Sequence, residues 1–152
     1  MKLRGLDVVV KQVVGQRVVL ANGCFDILHV GHIRYLEAAR RLGEVLVVAL
    51  NDDDSARQLK GPGRPILSLN ERACLVSALE CVDHVIAFNE PDVGHVIEAL
   101  KPAVHAKGTD YTEKSVPEAN QVYKYGGEVK ITGDSKDHST RDILSRILNQ
   151  FG

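Results

Sequence analysis

Short apolar runs alternate with stretches of helical periodicity along the whole chain. One run, residues 44–50 (EVLVVAL), is almost continuously apolar, which is typical of a strand buried on both faces of a parallel sheet. Shorter β-branched or apolar runs predict further strands at residues 17–21, 84–88, 103–106 and 128–132. Periodicity and helix-end signals predict helices at residues 33–42, 71–79, 91–100, 118–125 and 140–148. Asn70 is expected to cap the second of these helices, and Pro91 to lie near the start of the third.

This regular alternation of strands and helices predicts an α/β fold, a Rossmann-like, doubly wound parallel sheet with helices on both faces. The length of 152 residues suits one domain, with residues 1–16 as a short helical or extended lead-in. Ligands of such sheets bind beyond the carboxyl ends of the strands, where the strand order reverses. Turns at or near such ends should therefore meet in one cleft, and they lie at residues 22–32, 51–54, 107–108 and 139–140.

Composition and charge are those of an ordinary soluble protein. Hydrophobic residues make up 44% of the chain and charged residues 26%, and the formal net charge is −1. With so little net charge, we expect neither nucleic acid nor a membrane as a partner. The three cysteines contain no CxxC pair, which favours a reducing compartment. Since we also expect no secretory signal in residues 1–15 and find no apolar stretch near the roughly 20 residues of a membrane span, we expect a cytoplasmic protein.

Residues 22–32 (NGCFDILHVGH), here called the signature turn, lie between the first strand and the first helix. His29 and His32 are spaced to project from one side of the first helical turn. Backbone N–H groups at that helix start are unpaired and the helix dipole is positive there, while Gly31 lets a ligand approach the backbone closely. Because imidazoles can donate hydrogen bonds to phosphate oxygens, this turn is suited to bind phosphate.

Two other interpretations of the histidine pair are open at this stage. A structural zinc ion would need three or four protein ligands, and no cysteine pair lies nearby. A purely structural role for both histidines is the second alternative. Three further histidines lie in predicted strands or helices and are expected to be ordinary structural residues: His84, His95 and His105.

The signature turn resembles the HxGH motif of the nucleotidyltransferase superfamily. Its members join an acceptor to the α-phosphate of a nucleoside triphosphate and release pyrophosphate. The resemblance implies that His29 and His32 contact the triphosphate and stabilise the transition state. It further implies a nucleotide site shaped by other residues of the signature turn: Gly23, Cys24, Phe25, Asp26 and Gly31. Because the superfamily uses direct displacement, Cys24 is interpreted as a small packing residue and not as a nucleophile.

Cations follow in two later turns and in one helix start. The loop at residues 60–65 (KGPGRP) is either a plain connector or a mobile loop that brings Lys60 over the triphosphate, where it would offset charge moving to the leaving group. Arg72 is either part of a solvated pair with Glu71 or a fork for the acceptor phosphate. Lys107, in a turn after a strand, is either part of a plain loop or a second ligand of acceptor or nucleotide phosphate.

Hydroxyl groups and a carboxylate complete the candidate site. Ser139 and Thr140 are good N-caps, which by itself explains them, but a helix start with hydroxyls also suits the β and γ phosphates, with Arg141 adding charge. Asp110 is a candidate for bonding a ribose hydroxyl or helping to hold a metal. Mg²⁺ is expected to accompany the triphosphate, held mostly by phosphate and water.

Several motifs in one order narrow the resemblance: the signature turn and residues 60–65, 81–83, 107–111, 126–129 and 139–140. Together they are similar to the adenylyltransferase half of the bifunctional ADP-heptose synthases, which act on D-glycero-β-D-manno-heptose 1-phosphate. The similarity covers roughly residues 17–148. Those enzymes often carry a fused sugar kinase, which this sequence does not contain, so we expect a separate kinase in the pathway. They are also often dimers, so we expect a homodimer. The chain departs from the family pattern at residues 134–138, and Arg141 stands where the family usually has a second threonine.

The resemblance therefore implies an enzyme that transfers AMP from ATP to a sugar 1-phosphate, giving ADP-heptose and pyrophosphate. A cytidylyltransferase that uses CTP and a small phosphoalcohol, such as glycerol 3-phosphate, is the alternative among enzymes. A nucleotide-binding module without catalysis is the alternative outside them, although such a module needs no cations placed for a transition state.

Overall fold

The computed structural model describes residues 1–134 and 138–152, which form a parallel sheet covered by helices. The strands are β1 (Val18–Gly23), β2 (Val45–Asn51), β3 (His84–Phe88), β4 (Val104–Lys107) and β5 (Glu128–Ile131). The helices are α1 (Leu6–Gln12), α2 (Val30–Arg40), α3 (Asp53–Lys60), α4 (Leu69–Ser77), α5 (Gly94–Leu100), α6 (Ala119–Lys124) and α7 (Thr140–Phe151). Each predicted strand is confirmed to within two residues at either end.

The strand order is β3-β2-β1-β4-β5, and all neighbours are parallel. From the central strand β1 the chain moves outward through β2 to β3, and then returns to β4 on the other side of β1. The strand order therefore reverses between β1 and β4, so a crevice is expected beyond the carboxyl ends of these two strands. The predicted doubly wound α/β fold is confirmed.

Alternate residues of β1 face two separate cores. Val18 and Leu20 belong to the core covered by α1, α5 and α6, whereas Val19 and Ala21 belong to the core covered by α2 and α4. β2 is buried along its whole length, as its continuous apolar run predicted. None of the helices in the described residues is long and apolar enough to cross a membrane.

The predicted lead-in is part of the folded core. It contains α1, and Val9 of this helix is completely buried. Ahead of the helix, Leu3 forms an isolated parallel bridge with Val85 of β3. Residues 1–16 therefore pack against the edge strand β3 and against one face of the sheet.

Helix starts are the main differences from the sequence-based prediction. Residues 51–54, predicted as a loop, end β2 and start α3, where Asp52 caps the helix by accepting from the backbone N–H of Ser55 at 2.8 Å. The sequence of α3 is largely polar, so it gives little apolar periodicity from which a helix can be predicted.

Two predicted helix ends were wrong. Asn70 lies inside the first turn of α4, and Ser68 is the cap, forming a reciprocal capping box with Glu71. Pro91 lies before α5, which begins only at Gly94. The predicted last helix is confirmed as α7, but its apolar stripe is not buried in this chain, and no residue of the helix is.

Candidate active site

A cavity of about 720 Å³ lies at the carboxyl ends of the strands, where the order reverses. The starts of α2 and α7, the end of α3 and the turn after β4 complete its walls. All the predicted site residues except Arg72 line it: Gly23, Cys24, Phe25, Asp26, His29, Gly31, His32, Lys60, Lys107, Asp110, Ser139, Thr140 and Arg141. The prediction that distant turns meet in one cleft is confirmed.

The two histidines form a reciprocal cap at the start of α2. His29 is the N-cap, and its Nδ1 accepts from the backbone N–H of Gly31 at 3.1 Å. His32 Nδ1 accepts in turn from the backbone N–H of His29 at 3.3 Å. A ring nitrogen that accepts a hydrogen bond carries no proton, so in the neutral rings both protons lie on Nε2. The caps thus make each Nε2 a hydrogen-bond donor at the positive end of a helix.

Close packing holds the histidine rings in place. The ring centroids of His29 and His32 are 3.9 Å apart, with planes inclined by 28°. A Cβ atom at Gly31 would lie only 2.9 Å from Cε1 of His29, so this glycine lets the ring lie against the backbone. The ring centroid of the buried Phe25 lies 5.1 Å from that of His32, and the Phe25 ring also stacks on the ring of Tyr35. The backbone of Phe25 has a φ of +51°, in the left-handed region that residues with a Cβ rarely adopt.

Asp26 connects three segments of the cavity wall. Its carboxylate accepts from the backbone N–H groups of Ile66 at 2.7 Å and Leu67 at 3.0 Å, and from Arg64 Nε at 3.0 Å. Its backbone carbonyl accepts from the hydroxyl of Thr140 at 2.6 Å. Burial alone would raise the pKa of Asp26, but these donors outweigh it and hold the pKa below its usual value. Asp26 therefore stays ionised and ties the signature turn to the chain after α3 and to the start of α7.

Arg72 is a structural residue and does not reach the cavity, contrary to both sequence-based interpretations. Its side chain is completely buried, and its guanidinium donates to three carbonyl oxygens and one carboxylate. The acceptors are the carbonyls of Leu67 at 3.0 Å and of Cys24 and Asn51 at 2.8 Å, and the carboxylate of Asp53 at 2.8 Å. Arg72 thus joins the ends of β1 and β2 to α4 and has no donor edge left for a phosphate.

Arg64 lines the cavity instead and was not among the predicted site residues. It lies four residues after Lys60, at the end of the tight turn that follows α3. The signal that marked it is the KGPGRP loop itself, which carries two cations rather than one. Asn22, the first residue of the signature turn, also lines the cavity, with its Oδ1 2.9 Å from Nε2 of the buried His105.

The start of α7 carries two hydroxyl groups in different roles. Ser139 caps the helix by accepting from the backbone N–H of Asp142, and among the described residues its own proton has no acceptor. The proton of the Thr140 hydroxyl is engaged by Asp26. Residues 135–137, which belong to the predicted departure from the family pattern, lie outside the described residues. On one side of them, Asp134 pairs with Arg34 at 3.2 Å.

Lys107 and Cys24 are both shielded from solvent. Burial lowers the pKa of Lys107, whereas the nearby Glu118 carboxylate opposes that shift, and Nζ lies 4.5 Å from the centre of the Tyr111 ring. Burial raises the pKa of the Cys24 thiol, which lies 3.7 Å from Asn51 Oδ1. Cys24 is therefore a neutral packing residue, consistent with the sequence-based interpretation.

The sequence also matches a known family. A family model described as cytidylyltransferase-like matches residues 20–146. The chain belongs to the cytidylyltransferase-like family. It is therefore a nucleotidyltransferase, as the signature turn predicted.

Curated relatives within this similarity are longer proteins. The bifunctional protein HldE of Syntrophotalea carbinolica is 47% identical over 137 residues, which cover 90% of this chain and 28% of that protein. The bifunctional protein HldE of Geobacter sulfurreducens is 44% identical over 156 residues, covering 99% of this chain and 32% of that protein. The chain thus spans about a third or less of the length of these relatives. They confirm the resemblance on which the sequence-based interpretation rests.

Solved structures agree with the fold. The lipopolysaccharide core biosynthesis protein from Thermoplasma volcanium is 38% identical with a TM-score of 0.65, and the match covers 77% of this chain and 94% of that one. A pantothenate synthetase from Thermus thermophilus is only 16% identical, with a TM-score of 0.57 and coverage of 88% and 61%. The second likeness concerns the fold alone.

The donor set of this nucleotidyltransferase cavity does not suit a structural zinc ion. Zinc requires three or four protein ligands, and the described residues include no group of three or more His, Cys, Asp or Glu side chains that would hold a metal. A magnesium ion that arrives on phosphate oxygens and keeps most of its water needs no such group.

Proposed function

We propose that this nucleotidyltransferase transfers AMP from ATP to a sugar 1-phosphate, D-glycero-β-D-manno-heptose 1-phosphate, giving ADP-heptose and pyrophosphate. The observation that carries the proposal is the pair of capped histidines, with both Nε2 donors at the positive end of α2, in a cavity that also contains Lys60 and Lys107. Such an arrangement is suited to a triphosphate and to a second phosphate beside it.

The choice of acceptor rests on similarity. The motif order matches the adenylyltransferase half of the ADP-heptose synthases, and the relatives named HldE are bifunctional proteins of which this chain covers only one part. The Thermoplasma volcanium relative is described as a lipopolysaccharide core biosynthesis protein, which agrees with a sugar nucleotide as product. A sugar kinase activity would then supply the acceptor, in the cytoplasm, and a homodimer is part of this proposal.

The reaction is an in-line displacement at the α-phosphorus of ATP. An oxygen of the sugar phosphate forms the new P–O bond, and the bond to the bridging oxygen of the β-phosphate breaks, so pyrophosphate leaves with the electron pair. Because the attacking phosphate is already an anion at neutral pH, no general base is required. The protein contributes positioning and charge stabilisation.

Each part of the cavity has a distinct role in this proposal. His29 and His32 donate from Nε2 to the phosphate oxygens on which charge increases, and Lys60 neutralises charge on the leaving pyrophosphate. Ser139, Arg141 and the backbone N–H groups at the start of α7 bind the β and γ phosphates. Lys107 binds the acceptor phosphate, and Asp110 a ribose hydroxyl. Mg²⁺ supplies further charge neutralisation to the triphosphate when it is bound.

The experiment is an assay of pyrophosphate release by the purified protein with Mg²⁺, in which ATP and CTP are crossed with heptose 1-phosphate and glycerol 3-phosphate. Turnover only with ATP and the heptose phosphate is the expected result. Turnover with CTP and glycerol 3-phosphate would reject the proposed substrates while keeping the chemistry.

A further inference from the structure

Arg64 is held in a fixed orientation by a buried carboxylate. Its Nε donates to Asp26 Oδ2 at 3.0 Å, and the exposed fractions of the two side chains are 18% and 1%. Asp26 itself cannot turn away, because its carboxylate also accepts from the backbone N–H groups of Ile66 and Leu67. The guanidinium therefore approaches the cavity with its Nε edge already engaged.

The opposite edge of the same guanidinium has no acceptor in residues 1–134 and 138–152. Among the described residues, no group accepts from Nη1 or Nη2 of Arg64, whereas every nitrogen of the Arg72 guanidinium has an acceptor. Arg64 lines the cavity together with Lys60 and the two histidines. A planar pair of N–H donors on a residue of the cavity wall matches the spacing of two oxygens of a phosphate.

The turn between Lys60 and Arg64 keeps the two cations on one wall. Gly61 and Gly63 adopt φ values of +98° and +81°, which glycine allows, and the backbone N–H of Arg64 donates to the carbonyl of Gly61 at 3.3 Å. Lys60 is an exposed side chain at a helix end, whereas Arg64 is largely enclosed. Of the two, Arg64 is the preorganised cation.

We propose that Arg64 binds a phosphate group of the substrates through Nη1 and Nη2, and that Asp26 is the residue that positions it. The inference rests on the proposed nucleotidyl transfer for the identity of that phosphate, which belongs to either the triphosphate or the acceptor. Because Asp26 fixes the fork before substrate arrives, little side-chain entropy is lost on binding.

The test compares Arg64→Lys and Arg64→Gln with the wild type. Arg64→Lys keeps the charge but removes the planar fork, and both variants are expected to lower kcat/KM by about 10- to 100-fold, since a charged hydrogen-bonding group is lost. Arg57→Gln is the matched control, because Arg57 is an exposed arginine of α3 that does not line the cavity. It makes the same charge change and should stay within about twofold of the wild type.

Two readouts identify which phosphate is bound. Isothermal titration with ATP and Mg²⁺ measures the affinity for the triphosphate, which is the first arm of the test. The KM for the acceptor at saturating ATP measures binding of the acceptor phosphate, which is the second arm. Weaker binding in either arm supports the proposal. Arg64→Lys and Arg64→Gln within about threefold of the wild type in both arms and in kcat would overturn it.

Asp26→Asn provides a second, independent variant. If Asp26 acts by positioning Arg64, Asp26→Asn and Arg64→Lys disturb the same interaction. The fold-decrease in kcat/KM of the double variant should then be smaller than the product of the two single fold-decreases. Independent effects would reject Asp26 as the positioning residue for Arg64. Urea unfolding of every variant excludes loss of the fold as the cause.

The outcome is separable from that of the proposed function. If the wild type turns over CTP with glycerol 3-phosphate, the substrate proposal fails, but the Arg64 variants are compared on that pair instead. If the wild type turns over no pair, titration of wild type and variants with ATP and Mg²⁺ and with inorganic phosphate decides, and unchanged affinity for both would overturn the inference.

Discussion

Two stretches of the cavity wall are built in opposite ways. In the signature turn, residues 22–32, the rings of His29 and His32 accept from backbone N–H groups that lie no more than three residues away. In the chain from 60 to 72, here called the basic segment, the two arginines bond to partners far away in sequence. Arg64 is bonded to Asp26, and Arg72 to the carbonyl of Cys24, 48 residues earlier.

This difference explains why one stretch could be interpreted from the sequence and the other could not. A local motif carries its own partners, so spacing alone predicts which atoms meet. A long-range contact depends on how the sheet brings β1, β2 and α4 together. The two arginines of the basic segment have equal charge, but the fold buries Arg72 completely and leaves Arg64 in the cavity wall.

The largest expected effect is the loss of Arg72. Arg72→Met should lower the free energy of unfolding by about 3 kcal/mol or more, because it leaves buried carbonyl oxygens at the ends of β1 and β2 without donors. Urea unfolding measures this change. The exposed control Arg57→Gln should change stability by no more than about 0.5 kcal/mol.

If Arg72→Met were as stable as the wild type but bound ATP and Mg²⁺ or the acceptor much more weakly, Arg72 would be a phosphate ligand after all. The basic segment would then function as its sequence suggested.

Most of the fold was predictable because its signals are periodic. Apolar runs such as that of β2 predicted the positions of the strands, and the alternation of strands with helices predicted a parallel sheet. α3 was missed because its sequence is largely polar and its stability comes from the Asp52 cap and its contacts with β2. The cleft itself followed from topology, since turns after parallel strands meet at one edge. Arg64, Asn22 and the role of Arg72 could not be predicted, because each depends on contacts between residues that are distant in sequence.

The buried His105 contacts the signature turn through Asn22. Burial, helped by the charge of Lys107, lowers the pKa of His105 to about 3, compared with about 6.5 in the unfolded chain. As the pH falls below 6.5, the unfolded chain takes up a proton that the folded chain does not. Stability should therefore decrease by about 1.4 kcal/mol per pH unit until the folded pKa is approached.

The measurement is urea unfolding of the wild type and His105→Gln from pH 7 to pH 5. Glutamine keeps an N–H donor for Asn22 Oδ1 but does not titrate, so the stability difference between the two proteins should shift by about 2 kcal/mol in favour of the variant over this range. Asp26 and Glu71, whose pKa values are lowered, titrate at lower pH and in both proteins alike. Parallel pH profiles would show that His105 is not buried in its neutral form.

The smallest effect concerns the cap of α4 in the basic segment. Ser68→Ala should lower the free energy of unfolding by about 1 kcal/mol, because the backbone N–H of Glu71 loses its acceptor. Asn70→Ala is the matched control, and it should have little effect or stabilise slightly, since Asn70 lies within the helix. Thermal or urea unfolding of both variants compares the two positions, and a larger loss in Asn70→Ala would return the cap to the residue that the sequence suggested.

The most direct test of the central claim, that the capped histidines act on the transition state, is His32→Ala assayed for both turnover and ATP affinity. His95→Ala is the control, because His95 is exposed on α5 and does not line the cavity. On the substrate pair that the wild type turns over, His32→Ala should lower kcat by about 10²- to 10³-fold. The dissociation constant for ATP with Mg²⁺ should rise much less. Equal losses in turnover and affinity would contradict the account and favour a site that only binds the nucleotide.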